Sequence, residues 1–182
     1  MTWRSTLTYW LIALVLGAYY VAFERRPAPR SEMQLARQKV LDVFSDEVTA
    51  VSLRREGREI RCEKRDKRWQ IVKPPGAKAP ADLVAALVEN LTDKQEAEEI
   101  NNSPNAEDLR SFGLDDSAPT IEIEVGAKHF AVKLGSRNPP QTAIYAQTSV
   151  SPRVLLVGVN VQYYADLLYE AGRSGDKAVA SR

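Results

Sequence analysis

The chain has 182 residues, with 25 Lys and Arg against 24 Asp and Glu, one Cys and one His. That length allows one domain or two small ones, and a net charge of +1 offers no clustered basic face for phosphates, so nucleic acid is not expected as a partner. A single Cys cannot form an internal disulfide, and one Cys with one His cannot close a zinc site, so neither a metal nor another cofactor is expected.

Residues 1–4 lead into an uncharged run, residues 5–23 (STLTYWLIALVLGAYYVAF), bounded by Arg4 and Glu24. As a helix rising about 1.5 Å per residue it covers roughly the 30 Å hydrocarbon core of a bilayer, which predicts a transmembrane anchor. Trp3, Tyr9 and Trp10 near one end, and Tyr19, Tyr20 and Phe23 near the other, suit the headgroup boundaries. A cleaved signal peptide needs a small-x-small site, but Tyr20 and Leu16 occupy the minus-three places of the sites ending at Ala22 and Ala18. The run therefore reads as an uncleaved signal-anchor. Arg25, Arg26, Arg30, Arg37 and Lys39 follow it, and the positive-inside rule turns the following domain toward the cytoplasm. A lone Arg before an apolar run is also how exported anchors begin.

Residues 24–30 (ERRPAPR) form a linker kept extended by Pro27 and Pro29. Ser31 can cap a juxtamembrane helix over 31–45, with Met33, Ala36, Val40, Val43 and Phe44 on one side. A soluble α+β domain is expected over 46–171. There the period changes to two: strands at 48–53, 58–64 and 68–73 are separated by turns at Gly57 and at Asp66-Lys67. Leu83, Val84, Leu87, Val88 and Leu91 then mark a helix over 80–91, with Asp82 near its positive start. An acidic loop or edge strand passes through 97–100. Ser103 and Pro104 open a short helix that Gly113 closes in a left-handed cap. Strands follow at 120–125, 128–134, 143–147 and 154–157. A last helix over 161–171, with Val161, Tyr164, Ala165 and Leu168 inward, ends at Gly172, and 172–182 reads as a flexible tail. The fold expected is thus α+β: an N-terminal transmembrane helix, then two antiparallel meander-plus-helix halves at 46–92 and 117–171. Each half carries an Ala-Asp-Leu, at 81–83 and 165–167.

The ordered set Trp69-Gln70-Ile71, Pro74, Ala81-Asp82, Leu87, Leu91, Phe112-Gly113-Leu114-Asp115, Pro119, Leu134-Gly135 and Ile144-Tyr145-Ala146 resembles a bacterial family, the domain of unknown function numbered 4340. The stretch between Leu114 and Pro119 is longer than in that family's pattern. The resemblance implies proteins held by one N-terminal span, often encoded beside ABC-type exporters. It therefore implies a single-pass inner-membrane protein with a periplasmic domain and a transporter partner, opposite to the charge bias. It implies no reaction and no catalytic residues.

The chemistry-bearing residues point the same way. His129 falls on the outward row of its strand, and Cys62 on an inward row with Ile60. The acid pairs Glu98-Glu99 and Asp115-Asp116 lie beside turns, where solvated carboxylates are common, so a hydrolase built on paired carboxylates is the most distant reading. Gly135-Ser136-Arg137-Asn138 could cradle an anion but lacks a phosphate-loop pattern. Residues 61–68 (RCEKRDKR) form a basic hairpin face, and Arg65, Lys67 and Arg68 are candidate contacts for a partner or a headgroup. Trp69 and Tyr145 are candidate ligand contacts. The expectation is a non-enzymatic, membrane-anchored accessory or interaction protein, bound to the bilayer through 5–23 and to a membrane transporter. The alternative is a tethered binding module for a small polar or glycan ligand.

Overall fold

The computed structural model describes residues 38–93 and 96–180, with 38, 96 and 175–180 as backbone only. All of these lie in the unit Ala36–Arg182. The expected anchor at 5–23 with its boundary aromatics, the linker at 24–30 and the first part of the 31–45 helix lie outside them. Among the described residues no helix is long and apolar enough to cross a membrane.

The elements run β1 (Gln38–Lys39), β2 (Ala50–Arg55), β3 (Arg58–Arg65), β4 (Arg68–Lys73), α1 (Ala81–Thr92), β5 (Glu96–Asn101), α2 (Ala106–Ser111), β6 (Thr120–Val125), β7 (Lys128–Arg137), β8 (Ala143–Thr148), β9 (Ser151–Gly158) and α3 (Asn160–Ala180). Residues 38–45 are therefore a short strand followed by bends, not the end of a helix.

Turn chemistry sets the hairpins. Glu56 and Gly57 between β2 and β3, and Asp66 and Lys67 between β3 and β4, all have positive φ. That is the two-residue geometry whose twist matches paired strands. Alternation sets the faces: Ile121 and Ile123 are fully buried while Glu122 and Glu124 on the opposite row are half-exposed.

The expected pair of meander-plus-helix halves is overturned by the strand pairing. All strands join one antiparallel, nine-stranded sheet in the order β1-β5-β9-β8-β7-β6-β2-β3-β4. The seam is β2 against β6, with Val51 opposite Ile123 and Leu53 opposite Ile121. Each half has apolar residues on one row only, so neither buries that row alone. Placing the rows side by side makes a continuous floor that both long helices share.

Val84, Leu87, Val88 and Leu91 of α1, and Val161, Ala165, Leu168 and Tyr169 of α3, are buried in the same cluster as the inward residues of β2 to β4 and β6 to β9. The helix α1 leaves β4 at one edge of the sheet, packs on β4 and α3, and leads the chain to β5. The last helix does not stop at Gly172, where the sequence suggested a C-cap. Gly172 is buried against Ile60, with no room for a Cβ. It lets the helix lie close on β3, and α3 continues to Ala180.

Candidate functional site

The chain from α2 to β6 builds the wall of a cleft. Asn105 caps α2, its side chain accepting from the backbone N–H of Glu107 (2.8 Å) and Asp108 (2.9 Å), while Asp108 accepts from the Asn105 N–H (3.0 Å). This reciprocal box places the cap two residues beyond Ser103, because Asn105 and Asp108 have the spacing that satisfies both ends. At the other end Leu114 N–H donates to the Leu109 carbonyl (2.8 Å) and Gly113 N–H to that of Arg110 (3.0 Å), with Gly113 at φ +69°. These are the two bonds of a Schellman cap, the left-handed termination the sequence predicts.

The capped segment is stitched to the end of β7. Ser136 N–H donates to the Phe112 carbonyl (2.8 Å) and Leu134 N–H to that of Pro119 (2.8 Å). A Cβ on Gly113 would run into Ser136, and one on Gly135 into the Phe112 carbonyl and Leu114. Leu114 is buried beside this joint, and the Phe112 and Tyr145 rings touch with centroids 4.5 Å apart. Phe112-Gly113-Leu114, Pro119, Leu134-Gly135 and Tyr145, separate along the sequence, thus meet at one place.

Beside the joint lies a cleft of about 320 Å³. Leu53, Leu134 and Ala165 form its apolar floor, and Arg55, Asp115, Ser117, Ser136, Gln162 and Asp166 its polar rim. Arg55 donates to Asp166 at 2.6 Å and stacks on Tyr169, 5.0 Å from the ring centroid. Tyr169 in turn donates to Glu56 (3.1 Å). Asp115 accepts from both the N–H (2.9 Å) and the hydroxyl (2.6 Å) of Ser117, which hold its carboxyl below the usual carboxylate range. A second hollow of about 710 Å³ shares Arg55, Ser117, Ala118 and Pro119 with the first. The rim offers hydrogen-bond donors and acceptors, and Asp115 is held on it as an ionised acceptor.

The residues singled out from the sequence are spread over the molecule. Trp69 is buried, 7% exposed, in the core cluster. Tyr145 lies on the outward row of β8, five strands along the sheet from β4, whereas Trp69 faces the core, so the two aromatics do not share one groove. Lys67, Arg68 and Trp69 line a separate groove of about 570 Å³ with Asp82 and Glu89 of α1. Arg65 beside them pairs with Glu63 (3.0 Å).

His129 is exposed on the outward row, 3.8 Å from Glu124. Cys62 is fully buried, and burial pushes its thiol up to about 12, so it holds its proton and is no nucleophile. Of the acid pairs, Glu99 accepts from Arg153 (2.7 Å) and Asp116 lies 3.5 Å from Lys133. Asn138 accepts from the N–H groups of Thr142 and Ala143, building its own turn rather than an anion cradle.

Arg55, Ser117, Gln162 and Asp166 escaped the sequence reading, which touched Ser136 only within the Gly135–Asn138 stretch. Of those four, Asp166, in the second Ala-Asp-Leu, carried a signal. The first such triplet contributes Asp82 to the other groove.

A family model described as Domain of unknown function (DUF4340) matches residues 69–171, which run from β4 into α3 and hold every motif residue of the joint. No curated protein and no solved structure matches the chain. With more than half of its 182 residues matched, the chain belongs to the DUF4340 family.

Proposed function

We propose that this domain is a non-enzymatic accessory or interaction protein, held at the bacterial inner membrane through residues 5–23 and exposed to the periplasm. Its role is that of an auxiliary component of an envelope ABC-type transport complex. The observation that carries the reading is how the motif residues are used. Gly113 and Gly135 allow two backbones to touch, Leu114 is buried at their crossing, Phe112 stacks on Tyr145, and Trp69, Leu87 and Leu91 fill the core. What the motifs specify is a shape, and a shape is what a docking subunit has to preserve. The uncharged run at 5–23 supports the tether, and the resemblance to proteins encoded beside exporters supports the partner. Affinity purification from native membranes in mild detergent, followed by mass spectrometry, tests it. A transporter subunit recovered in fixed ratio is the expected result, and recovery of this chain alone counts against it.

One observation favours a second reading, a tethered binding module for a small polar or glycan ligand. The cleft of about 320 Å³ has an apolar floor and a rim of Arg55, Ser117, Ser136 and Gln162. Titration calorimetry with a panel of sugars and small polar metabolites tests this reading. Binding abolished by Arg55→Ala supports it, and no heat from any compound sinks it.

A further inference from the structure

Among the described residues nothing pairs with the outer edge of β4, the last strand of the sheet. The register fixes what that edge presents. Arg65 and Arg68 close the two-residue turn and form a hydrogen-bonded pair, so Trp69 opposite Lys64 is a non-bonded pair, and Ile71 opposite Cys62 is another. The N–H and C=O groups of Trp69 and Ile71 therefore point away from β3, at the spacing an added strand requires. At the turn end of this edge lies the groove of about 570 Å³, bounded by Asp46, Lys64, Lys67 and Arg68 on one side and by Asp82, Ala85 and Glu89 of α1 on the other. Lys67 and Arg68 form no ion pair with any described residue. At the far end of the strand Lys73 is held by Glu59 (2.6 Å).

We infer that β4 accepts an extended segment of a partner protein as an additional strand, with acidic residues of that segment placed at the Lys67–Arg68 turn. The inference rests on the interaction reading above and names its partner chemistry. A second copy of this chain is disfavoured as the occupant. Antiparallel β4–β4 pairing through the outward groups sets Trp69 against Ile71 of the other copy and brings Lys67 up to the other copy's Lys73 at both ends, and like charges brought together across a strand pair are destabilising. Basic residues on an edge also guard it against indiscriminate strand addition, so the same side chains that repel a basic strand select an acidic one. Asp82 across the groove keeps further carboxylates out of its helix side. The segment that fits is acidic at one end and neutral along the rest.

The test uses the full chain and two capped octapeptides, alternating Val and Thr after either a Glu-Glu or a Lys-Lys start. Hydrogen exchange at the Trp69 and Ile71 amides should slow with the acidic peptide. The acidic peptide should bind about fivefold or more tightly than the basic one, with the preference weakening as salt rises. In the double variant Lys67→Glu/Arg68→Glu, whose sites are exposed, the preference should invert while thermal stability stays unchanged. Protection elsewhere, no binding, or equal binding of both peptides overturns the inference. If the chain binds neither peptide yet still co-purifies with a membrane partner, the edge assignment fails and the interaction reading stands. If it binds the acidic peptide but co-purifies with nothing, the reverse holds.

Discussion

Arg61 on β3 and Glu124 on β6 are joined by two parallel hydrogen bonds of 2.7 and 2.9 Å, although β2 lies between their strands. The bridge is possible because Ala50 and Ser52, the β2 residues on that row, are small. Ala50 is opposite Glu124, Ser52 is opposite Arg61, and the longer side chains meet above them. Arg61 also donates to Glu63 on its own strand (3.3 Å) and to the Ser52 hydroxyl on β2 (3.5 Å), so one guanidinium ties two strands of the first half to one of the second. It clamps the outward row at a seam that no local pattern announces.

The clamp predicts how stability depends on pH. Hydrogen bonds from Arg61 hold the Glu124 carboxyl below the usual carboxylate range, and one from Lys73 does the same for Glu59. A carboxyl whose pKa is lowered in the folded state stabilises it above the unfolded value, about 4.3, and loses that contribution as pH falls through the folded value. Urea midpoints should be level from about pH 7 to 5 and fall below about pH 4.3. Arg61→Ala should cost about 1–2 kcal/mol at neutral pH and make the acid-side fall shallower, because Glu124 then titrates nearer its ordinary range. An unchanged pH slope in the variant would show that the pair contributes nothing.

Gly172 and Ile60 make a second test of packing. Gly172→Ala places a methyl group against the Ile60 side chain and should destabilise by about 1–3 kcal/mol. Combined with Ile60→Ala, the loss should be smaller than the sum of the two single losses, since the clash is removed. Gly135→Ala meets the Phe112 carbonyl, which is backbone and cannot swing aside, so it should cost more than Gly172→Ala. Thermal or urea melts of the four chains give the comparison.

Cys62 offers a probe of global opening. Its thiol, pushed up to about 12 by burial, is ionised to about one part in ten thousand at pH 8 and is sealed from solvent. A disulfide-exchange reagent should leave the folded chain unmodified and label one thiol per chain in denaturant. Rapid labelling without denaturant would mean that β3 opens locally.

Leu87, fully buried on α1 between the sheet and α3, tests the shared core. Leu87→Ala should cost about 2–5 kcal/mol and lower a single cooperative melting transition. Two separate transitions would argue that the halves fold independently after all.

Much of the sheet was legible because its signal is local. The alternation of Ile121, Glu122, Ile123 and Glu124 fixes a strand and its inward row, the left-handed cap follows from Gly113 between Phe112 and Leu114, and β4 begins and ends where its turn residues put it. What escaped is non-local. Alternation shows that 50–55 and 120–125 each have an apolar row, but nothing in either segment says that they pair with each other. Gly172 read as a helix stop because a glycine that ends a helix and one that admits a neighbour look the same until Ile60 is beside it. The cleft was invisible for the same reason: Arg55 and Asp166 are ordinary charged residues 111 positions apart until the fold sets them 2.6 Å from each other.

On the proposed reading, this domain works by docking to a membrane-embedded partner. Native mass spectrometry of the chain, tagged at its C-terminus and released from its own membranes in mild detergent, tests that claim most directly. The prediction is a defined species whose mass is that of this chain plus a second, different polypeptide of a transport complex. A spectrum holding only this chain, alone or in multiples of itself, would contradict it.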